Sequence, residues 1–330
     1  MADKTKLEAL SIDELLAELE ARKARSENKL GIPTSPSLEE FDDQTIVSVL
    51  KTKQKVIYGV DDRIEVFQLT DPTSITDTDC VVALFRAADI TDNGNGTSTL
   101  TTQNFGNTYN LCQNEPFRDQ PIGANCSGFL VGPDVIATAG HCVNRNNVTN
   151  TRFVFGFRMQ NATTAQTVIN NTEIYRGLNI IGWRFTNNDT DWALVRIDRR
   201  VINHRVAQIR RVGRITDGQA VHVIGHPSGL PTKFAGGAVV RNNQPSAFFV
   251  ANLDTYGGNS GSPVFNSNTH EVEGVLVRGD ADFVMSGQCY VSKVCPTTGC
   301  RGEDCTRTRE FSQLVPISTW LEPMLHIMMN

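Results

Sequence analysis

The sequence lacks several features that would assign it to a special class of protein. No run of 18 or more apolar residues occurs among its 330 residues, so no membrane-spanning helix and no membrane partner are expected. Basic residues are not in excess, because 31 Lys and Arg stand against 36 Asp and Glu, and we expect no nucleic-acid partner. Repeats and low-complexity segments are absent too. What remains is an ordinary globular composition, 39% hydrophobic and 20% charged.

A secretory leader is also missing from the start, because MADKTKLEALSIDELL has no apolar core of the kind that a signal peptide requires. The eight cysteines argue the other way, since an even number of cysteines is typical of proteins from oxidising compartments. The cysteines favour an extracellular or periplasmic location, reached by a route that the sequence does not show. The alternative is a cytoplasmic protein whose thiols are mostly reduced.

The beginning of the chain is predicted to be a helix followed by a linker. Ser11 and Glu14 form a capping box, and Ile12, Leu15 and Leu19 repeat at helical spacing, which predicts a helix over 11–25. The following GIPTSPSLEE has the glycine, prolines and serines of a linker. A helical arm therefore precedes a different kind of domain.

From about residue 56 the pattern changes to short strands separated by turns. Segments such as CVVALFRA, RFVFGFRM, DWALVRID and EVEGVLVRG are rich in β-branched and aromatic residues. Phe153, Phe155 and Phe157 alternate with smaller residues, which predicts a strand with one buried face. Many strands without regular helices between them favour an all-β barrel or sandwich. Only the final VPISTWLEPML predicts a short closing helix.

The segment GGNSGSPV carries a candidate nucleophile, Ser260. Its glycines allow the backbone to curl so that the N–H groups of Gly258 and Ser260 converge on one point, where an oxyanion can develop. Asn259 lies between them and is included in the predicted oxyanion hole. Ser262 has no comparable arrangement beside Pro263, so it is predicted to support the turn.

A base and an orienting acid are also present. His141 of ATAGHCV follows an apolar strand directly, which would place its imidazole at a strand end facing a cleft. Asp191 opens the alternating strand DWALVRID, where a buried carboxylate can accept a hydrogen bond from His141. Asp189 and Asp198 are the rival acids, and each is less well placed.

These three blocks, TAGHC, DWALV and GGNSGSPV, resemble the signature blocks of the chymotrypsin-fold serine endopeptidases. The chain order His, Asp, Ser fits that fold, whereas α/β-hydrolases have Ser, Asp, His and subtilisins Asp, His, Ser. GGNSGSPVFN is most similar to the glutamyl-endopeptidase, or V8-like, branch. The resemblance implies two six-stranded antiparallel β-barrels with the triad between them, a protein or peptide substrate, and no cofactor.

A second similarity concerns the start of the mature enzyme. VIYGVDDRIEV, from Val56, resembles the amino terminus that this branch generates by removing a pro-segment. Cleavage after Lys55 is therefore predicted, and the helix over 11–25 would inhibit the cleft or bind a partner. The predicted units are a helical pro-segment over 1–55, an N-terminal barrel over 56–203 with His141 and Asp191, and a C-terminal barrel over 204–330 with Ser260, a cysteine-rich insertion at 289–305 and the closing helix.

Specificity depends on Asp254, six residues before Ser260, where this fold has the floor of the pocket for the side chain preceding the cut. A buried carboxylate needs a cation, and a substrate Lys or Arg would supply one. Internal neutralisation, for instance by Arg278, is the alternative. Cleavage after glutamate is the second alternative: Thr255 matches a threonine of the acid-binding pocket, but Leu276 replaces its histidine, and only Arg278 could compensate.

Two further expectations come from the cysteines and from the possibility of lost activity. Cys126 and Cys142 resemble a disulfide of animal members of the fold, and we expect them to pair. The series from Cys289 to Cys305 lacks the usual C-x2-C spacing, so no metal site is predicted there. A catalytically silent interaction module with the same fold is the alternative from another functional class.

Overall fold

The described part of the chain is nearly continuous after its first quarter. The computed structural model describes Glu18, Arg22, Phe41 and Thr45 and the ranges 57–186, 190–279, 282–296 and 299–316. Glu18 and Arg22 are helical and form an ion pair of 2.8 Å, the i,i+4 pairing of a helix. Three predicted features lie outside the described residues: the rest of the helix over 11–25, the predicted processing position at Lys55 and Val56, and nearly all of the closing helix.

The first half of the fold is a closed barrel. The strands up to residue 197 are β1 (Ile57–Tyr58), β2 (Arg63–Glu65), β3 (Val81–Arg86), β4 (Ile90–Asp92), β5 (Thr97–Leu100), β6 (Gln103–Asn104), β7 (Pro121–Ile122), β8 (Cys126–Gly132), β9 (Val135–Thr138), β10 (Thr151–Val154), β11 (Val168–Asn170), β12 (Ile174–Phe185) and β13 (Asp191–Ile197). Two short helices, α1 (Pro72–Thr78) and α2 (Phe105–Thr108), lie among them. Strands β10, β12, β13, β9, β8 and β3 form the six-stranded antiparallel barrel.

Strand β10 shows how this barrel is covered on its outside. Phe153 and Phe155 are buried in the main core, as the alternating pattern predicts. Val154 is also buried, because it packs with Leu100 of β5 and Ile169 of β11. The small sheet of β4, β5 and β11 therefore covers the outer face, and the expectation of a single buried face is wrong.

The second half closes in the same way. Its strands are β14 (Ala220–Gly225), β15 (Lys233–Asn242), β16 (Phe248–Ala251), β17 (Pro263–Asn266), β18 (Val272–Arg278), β19 (Phe283–Ser286), β20 (Cys289–Ser292), β21 (Val294–Cys295) and β22 (Glu303–Arg307). Strands β14, β17, β18, β22, β16 and β15 form an antiparallel sheet that the β14–β15 pairing closes. Two six-stranded antiparallel barrels, the fold class expected from the resemblance, are thereby confirmed.

The segment that precedes α1 belongs to the second barrel. Strand β2 pairs with β15, and β1 pairs in parallel with β21. The predicted N-terminal unit over 56–203 is therefore corrected for residues 57–65. The pairing partners lie more than 160 residues away along the chain, which is why the strand pattern of the sequence did not indicate them.

The two barrels meet over a shared hydrophobic core. Val82 of β3 and Val275 of β18 are fully buried members of one cluster that contains residues of both barrels. Across the junction, the Ser127 N–H donates a hydrogen bond of 2.9 Å to the Ser260 carbonyl oxygen. The junction thus brings β8 of the first barrel against the turn that carries Ser260.

Three disulfides are present among the described residues. They join Cys112 to Cys289, Cys126 to Cys142 and Cys295 to Cys300, while Cys80 and Cys305 are buried thiols. The cysteine-rich insertion is thus held by disulfides, one of which reaches back into the first half of the chain. Within the described ranges, no helix is long and apolar enough to cross a membrane.

Candidate active site

His141 lies in a loop that β9 and a disulfide position. The loop follows β9 directly, and the Cys126–Cys142 bridge ties the residue after His141 to the start of β8. The Trp183 indole N–H donates a hydrogen bond of 2.8 Å to the Gly140 carbonyl. The imidazole is only 13% exposed. The backbone around His141 is therefore held from two sides.

Asp191 is the residue that orients this imidazole. Its side chain is buried at the start of β13, and Oδ2 lies 2.6 Å from His141 Nδ1. Its Oδ1 accepts hydrogen bonds from the backbone N–H groups of Gly140 and His141, at 2.6 and 3.1 Å. The Asp191 N–H donates to Thr306 Oγ1 of the second barrel. The carboxylate is thus held on both oxygens, and its backbone is anchored across the barrel junction.

The pKa of Asp191 reflects competing influences. Burial alone would raise this pKa, but the charge and hydrogen bond of His141, together with the charge of Arg278, outweigh burial and lower it. The carboxylate therefore stays ionised beside the imidazole. Of the rival acids, Asp189 lies outside the described residues, and Asp198 accepts hydrogen bonds from Arg176 and Arg199 instead.

Ser260 lies in a tight turn between β16 and β17. Gly258 and Gly261 have φ of +86° and +91°, a region that residues with a Cβ rarely adopt. At Gly261 a Cβ would lie 2.0 Å from the Ser127 carbonyl oxygen, so the turn touches the first barrel. The Ser260 carbonyl oxygen is 3.7 Å from Cys142 Sγ. The structure thus places the predicted nucleophile beside the disulfide of the His141 loop.

The same turn presents two backbone donors. Among the described residues, none accepts a hydrogen bond from the N–H of Gly258 or of Ser260. The Asn259 N–H is different, because it donates to the Tyr256 carbonyl at 3.1 Å. Asn259, which was predicted to belong to the oxyanion hole, therefore does not add a third donor. Two free N–H groups that flank one occupied N–H form the geometry that an oxyanion requires.

The family comparison agrees with this site. Residues 126–275, which contain His141, Asp191 and Ser260, match a family model described as a trypsin-like peptidase domain. Residues 126–275 are therefore similar to trypsin-like peptidase domains. The resemblance to trypsin-like serine peptidases of the V8-like branch is confirmed.

Individual relatives are distant. A glutamyl endopeptidase of Bacillus licheniformis is 27% identical over 157 residues, which are 44% of this chain and 46% of that protein. The chain therefore spans about half the length of the curated relative that it matches. Among solved structures, a Glu endopeptidase in complex with MPD has 17% identity and a TM-score of 0.44, covering 79% of this chain and 97% of that one. The VesB protease of Vibrio cholerae has 13% identity and a TM-score of 0.45, covering 77% and 66%.

The side chain of Asn259 has an internal role in the peptidase domain. Its Nδ2 donates to Thr255 Oγ1 at 2.5 Å, and its Oδ1 accepts from Ser262 Oγ at 2.9 Å. All three side chains are buried. Thr255 and Ser262 thus brace the turn that carries Ser260. For Ser262 this is the supporting part that the sequence analysis predicted.

Asp254 has both of its carboxylate oxygens engaged by backbone. Oδ1 accepts from the Tyr58 N–H at 2.7 Å and Oδ2 from the Asp62 N–H at 2.8 Å. The residue is 3% exposed, and burial raises its pKa to about 6. The anticipated internal partner, Arg278, instead donates from Nε to Asp304 Oδ2 at 3.1 Å. Asp254 therefore anchors the segment 57–62 to the peptidase domain.

Leu276 and Arg278 lie on β18 behind the Ser260 turn. The Leu276 carbonyl accepts from the Gly261 N–H at 2.7 Å, and its own N–H donates to the Ser262 carbonyl at 2.9 Å. Leu276 is fully buried, and Arg278 is 5% exposed. The strand supports the Ser260 turn through its backbone, and both side chains are covered.

An open cleft adjoins Gly258 of the Ser260 turn, and none of the four predicted specificity residues lines it. Gly257 and Gly258 form one wall. The remaining lining residues are Arg86, Asp89, Thr101, Gln103, Tyr109, Ile122, Gly123, Ala124, Asn125 and Ser228. Sequence reasoning missed them because they come from several separate strands and loops and carry no motif.

Proposed function

We propose that the chain is a serine endopeptidase that works through the triad His141, Asp191 and Ser260. The observation that carries this proposal is the 2.6 Å contact between His141 Nδ1 and Asp191 Oδ2, next to a turn whose Gly258 and Ser260 N–H groups are unpaired among the described residues. A base with an orienting acid and an oxyanion hole are the parts that acyl transfer needs.

The reaction follows from these roles. Ser260 Oγ attacks the scissile carbonyl carbon while His141 Nε2 accepts the hydroxyl proton. The carbonyl oxygen becomes an oxyanion, which the N–H groups of Gly258 and Ser260 stabilise. The imidazolium then gives the proton to the leaving amine, and an acyl-enzyme on Ser260 remains. Water then attacks the acyl carbonyl carbon while His141 accepts its proton. The imidazolium returns that proton to Ser260 Oγ as the carboxylic acid product is released.

Asp191 stabilises the imidazolium that forms in each step. Its ionised state is supported by the direction of its pKa shift, and its position by three hydrogen bonds to the His141 loop. The bond from the Asp191 N–H to Thr306 links this orientation to the second barrel, which carries Ser260. The alignment of the triad therefore depends on how the two barrels dock.

For specificity we propose cleavage after Lys or Arg. Asp254 supplies a buried carboxylate six residues before Ser260, and at neutral pH a group with a pKa of about 6 is ionised. Two amide donors satisfy hydrogen bonding but leave the negative charge in place. Such a charge attracts a cationic substrate side chain and repels a carboxylate.

Cleavage after glutamate is the second candidate, because the curated relative is named a glutamyl endopeptidase. Thr255, which matches the acid-binding threonine, is fully buried and accepts a hydrogen bond from Asn259 Nδ2. Arg278, the cation that would attract glutamate, is paired with Asp304. Both contacts favour the basic specificity over the acidic one.

We also propose that the enzyme matures by cleavage between Lys55 and Val56. Tyr58, two residues after Val56, is buried, and its N–H binds Asp254. A new amino terminus would thus begin two residues before the N–H group that binds the proposed specificity carboxylate. The three disulfides support an extracellular or periplasmic location, and the substrate is a protein or peptide.

A fluorophosphonate probe tests the enzyme proposal. We expect covalent labelling of Ser260 in full-length or Lys55-cleaved protein and none in Ser260→Ala. Absence of labelling in both forms would favour the silent interaction module.

Peptides that differ only in Arg, Lys, Glu or Leu before the scissile bond test the specificity: a preference for Glu would overturn the role given to Asp254. Intact-mass analysis of active enzyme tests the maturation, which fails if residues 1–55 are retained.

A further inference from the structure

Three potential metal ligands converge at a place that the proposed catalysis does not use. His222 Nε2 lies 3.1 Å from Asp77 Oδ2, and His270 Nδ1 lies 2.6 Å from the same oxygen. All three ligand atoms lie within 4.8 Å of one another. They come from α1, from β14 and from the turn between β17 and β18. No segment contributes more than one of them.

The surroundings hold these side chains in place. The His222 ring is stacked between Phe234 and Phe265, with ring centroids 5.0 Å away on both sides. Its second nitrogen, Nδ1, is 3.1 Å from Ser267 Oγ. With Nδ1–H donating to Ser267 Oγ, Nε2 presents its lone pair to a metal; without a metal, Nε2–H faces the Asp77 carboxylate and the serine hydroxyl donates to Nδ1 instead. A hydrogen bond to the second ring nitrogen is how proteins orient a metal-binding histidine. The rotation of His222 is therefore set without a metal.

His270 completes the set from a strained backbone position. Its φ is +57°, which is uncommon for a residue other than glycine. The backbone adopts this conformation at the residue whose imidazole contacts Asp77. The side chain is 25% exposed, whereas Asp77 and His222 are buried, so an ion can reach the ligands from the His270 side.

We propose that Asp77, His222 and His270 bind a divalent transition metal, with Zn²⁺ as the ion that suits them. Two imidazoles and one carboxylate are common zinc ligands, with water in the fourth position. Ligand atoms of a tetrahedral zinc site lie roughly 3.4 Å apart. The observed separations of 2.6 and 3.1 Å from Asp77 Oδ2 require only a small expansion to reach that spacing.

The site differs from the other cluster of metal-type side chains, at Cys126, His141 and Cys142. Both sulfurs of that cluster are in one disulfide, so they offer no thiolate. The Asp77 cluster, in contrast, has all three side chains in a form that can coordinate a metal.

The metal would join the two barrels. Helix α1 leads directly into β3 of the first barrel, whereas β14 and the turn after β17 belong to the second. An ion held by Asp77, His222 and His270 would therefore clamp the junction on which the triad alignment depends. The clamp stabilises the docking of the barrels and takes no part in bond cleavage.

Zinc binding to the metal-stripped full-length chain tests this proposal, by competition with a chromophoric chelator. We expect one equivalent of Zn²⁺ per chain, and with Co²⁺ the intense visible bands of a four-coordinate site. His270→Asn removes the imidazole but keeps a side chain that tolerates positive φ, and Asp77→Asn removes the carboxylate. Each should weaken binding by about 100-fold or more, since even the loss of a ligand's supporting partner costs about 10- to 100-fold.

Two controls make the result specific. His204 contacts the carboxylates of Asp79 and Glu173, so His204→Gln removes a comparable histidine elsewhere and should leave zinc affinity unchanged. His141→Ala should retain the full equivalent. The proposal is overturned if the wild type binds no stoichiometric zinc, if both site variants bind as the wild type does, or if the equivalent disappears in His141→Ala.

Discussion

The Asp254 carboxylate accepts a hydrogen bond of 2.7 Å from the Tyr58 N–H, across 196 positions of sequence. A residue predicted to bind a substrate cation thus also holds, by hydrogen bonds, the segment that follows the predicted processing position. Its remaining oxygen is bonded to the Asp62 N–H, so hydrogen bonding is satisfied while the charge persists. The pH behaviour of the protein should report this double role.

Asp254 should make stability fall as pH rises towards neutrality. Burial raises its folded pKa from 3.8 to about 6, so the folded state binds the proton more tightly than the unfolded state. Its contribution is fully present below pH 3.8 and is lost as pH rises through about 6. Between pH 4 and 7 we expect the unfolding free energy of the wild type to decline relative to Asp254→Asn by on the order of 2 kcal/mol. Denaturant titrations of both proteins at both pH values measure this difference. An equal change in unfolding free energy between pH 4 and 7 for the two proteins would contradict the prediction.

The same carboxylate should affect substrate binding. For peptides with Arg before the scissile bond, we expect KM to rise as pH falls through about 6, because protonated Asp254 no longer attracts the cation. A matched Leu peptide should show no such rise, and Asp254→Asn should abolish it for Arg. Steady-state kinetics with both peptides over this range provide the check. A rise of the same size for Leu would point to general damage at low pH.

Thr306 should act as a positioning residue for the triad. Thr306→Val removes the acceptor of the buried Asp191 N–H, which should cost about 1–3 kcal/mol of stability. We expect kcat to fall by about 10- to 100-fold with little change in KM, because small misplacements of catalytic groups slow the chemical step. Thr306→Ser keeps the hydroxyl and should restore kcat. A fall in stability without any change in kcat would leave Thr306 with a purely structural part.

Gly258 should be required for the oxyanion hole. Its φ is +86°, and a Cβ would lie 3.0 Å from the Gly229 nitrogen, so Gly258→Ala must shift the turn. The loss of one oxyanion donor costs about 10²- to 10³-fold in kcat. Gly213→Ala is the matched control, since Gly213 has φ of +75° with no atom within 4 Å of the added Cβ. Peptidase assays and thermal melts of both variants would separate the oxyanion effect from backbone strain.

The Cys126–Cys142 bridge should matter for catalysis as well as for stability. Its removal by paired serines should cost about 3 kcal/mol, against about 2 for the shorter Cys295–Cys300 loop, because the larger loop gains more entropy when opened. Only the first change should lower kcat, since Cys142 follows His141 and touches the Ser260 carbonyl. Unfolding curves and kcat for both double variants test this, and equal losses of kcat would refute the special position of the first bridge.

The sequence by itself determined the class of fold and the three blocks in which the proposed catalytic residues lie. His141, Asp191 and Ser260 are each surrounded by residues adjacent in the chain: a strand end, a strand start and a glycine turn. Their local sequence therefore makes each of them recognisable, and the short strand pattern indicates an all-β architecture. The Cys126–Cys142 bridge, which spans 16 residues, was also anticipated, from the resemblance to the family.

Only the tertiary structure decided what depends on contacts between distant segments. The Cys112–Cys289 bridge spans 177 residues, and His270 is 193 positions from Asp77. Three further features also depend on long-range contacts: the hydrogen bonds of Asp254, the pairing of Arg278 with Asp304, and the pairing of residues 57–65 with strands of the second half. Local patterns indicate which segments are strands, but a buried charge takes its partner from whichever segment the packing of the two barrels brings to it.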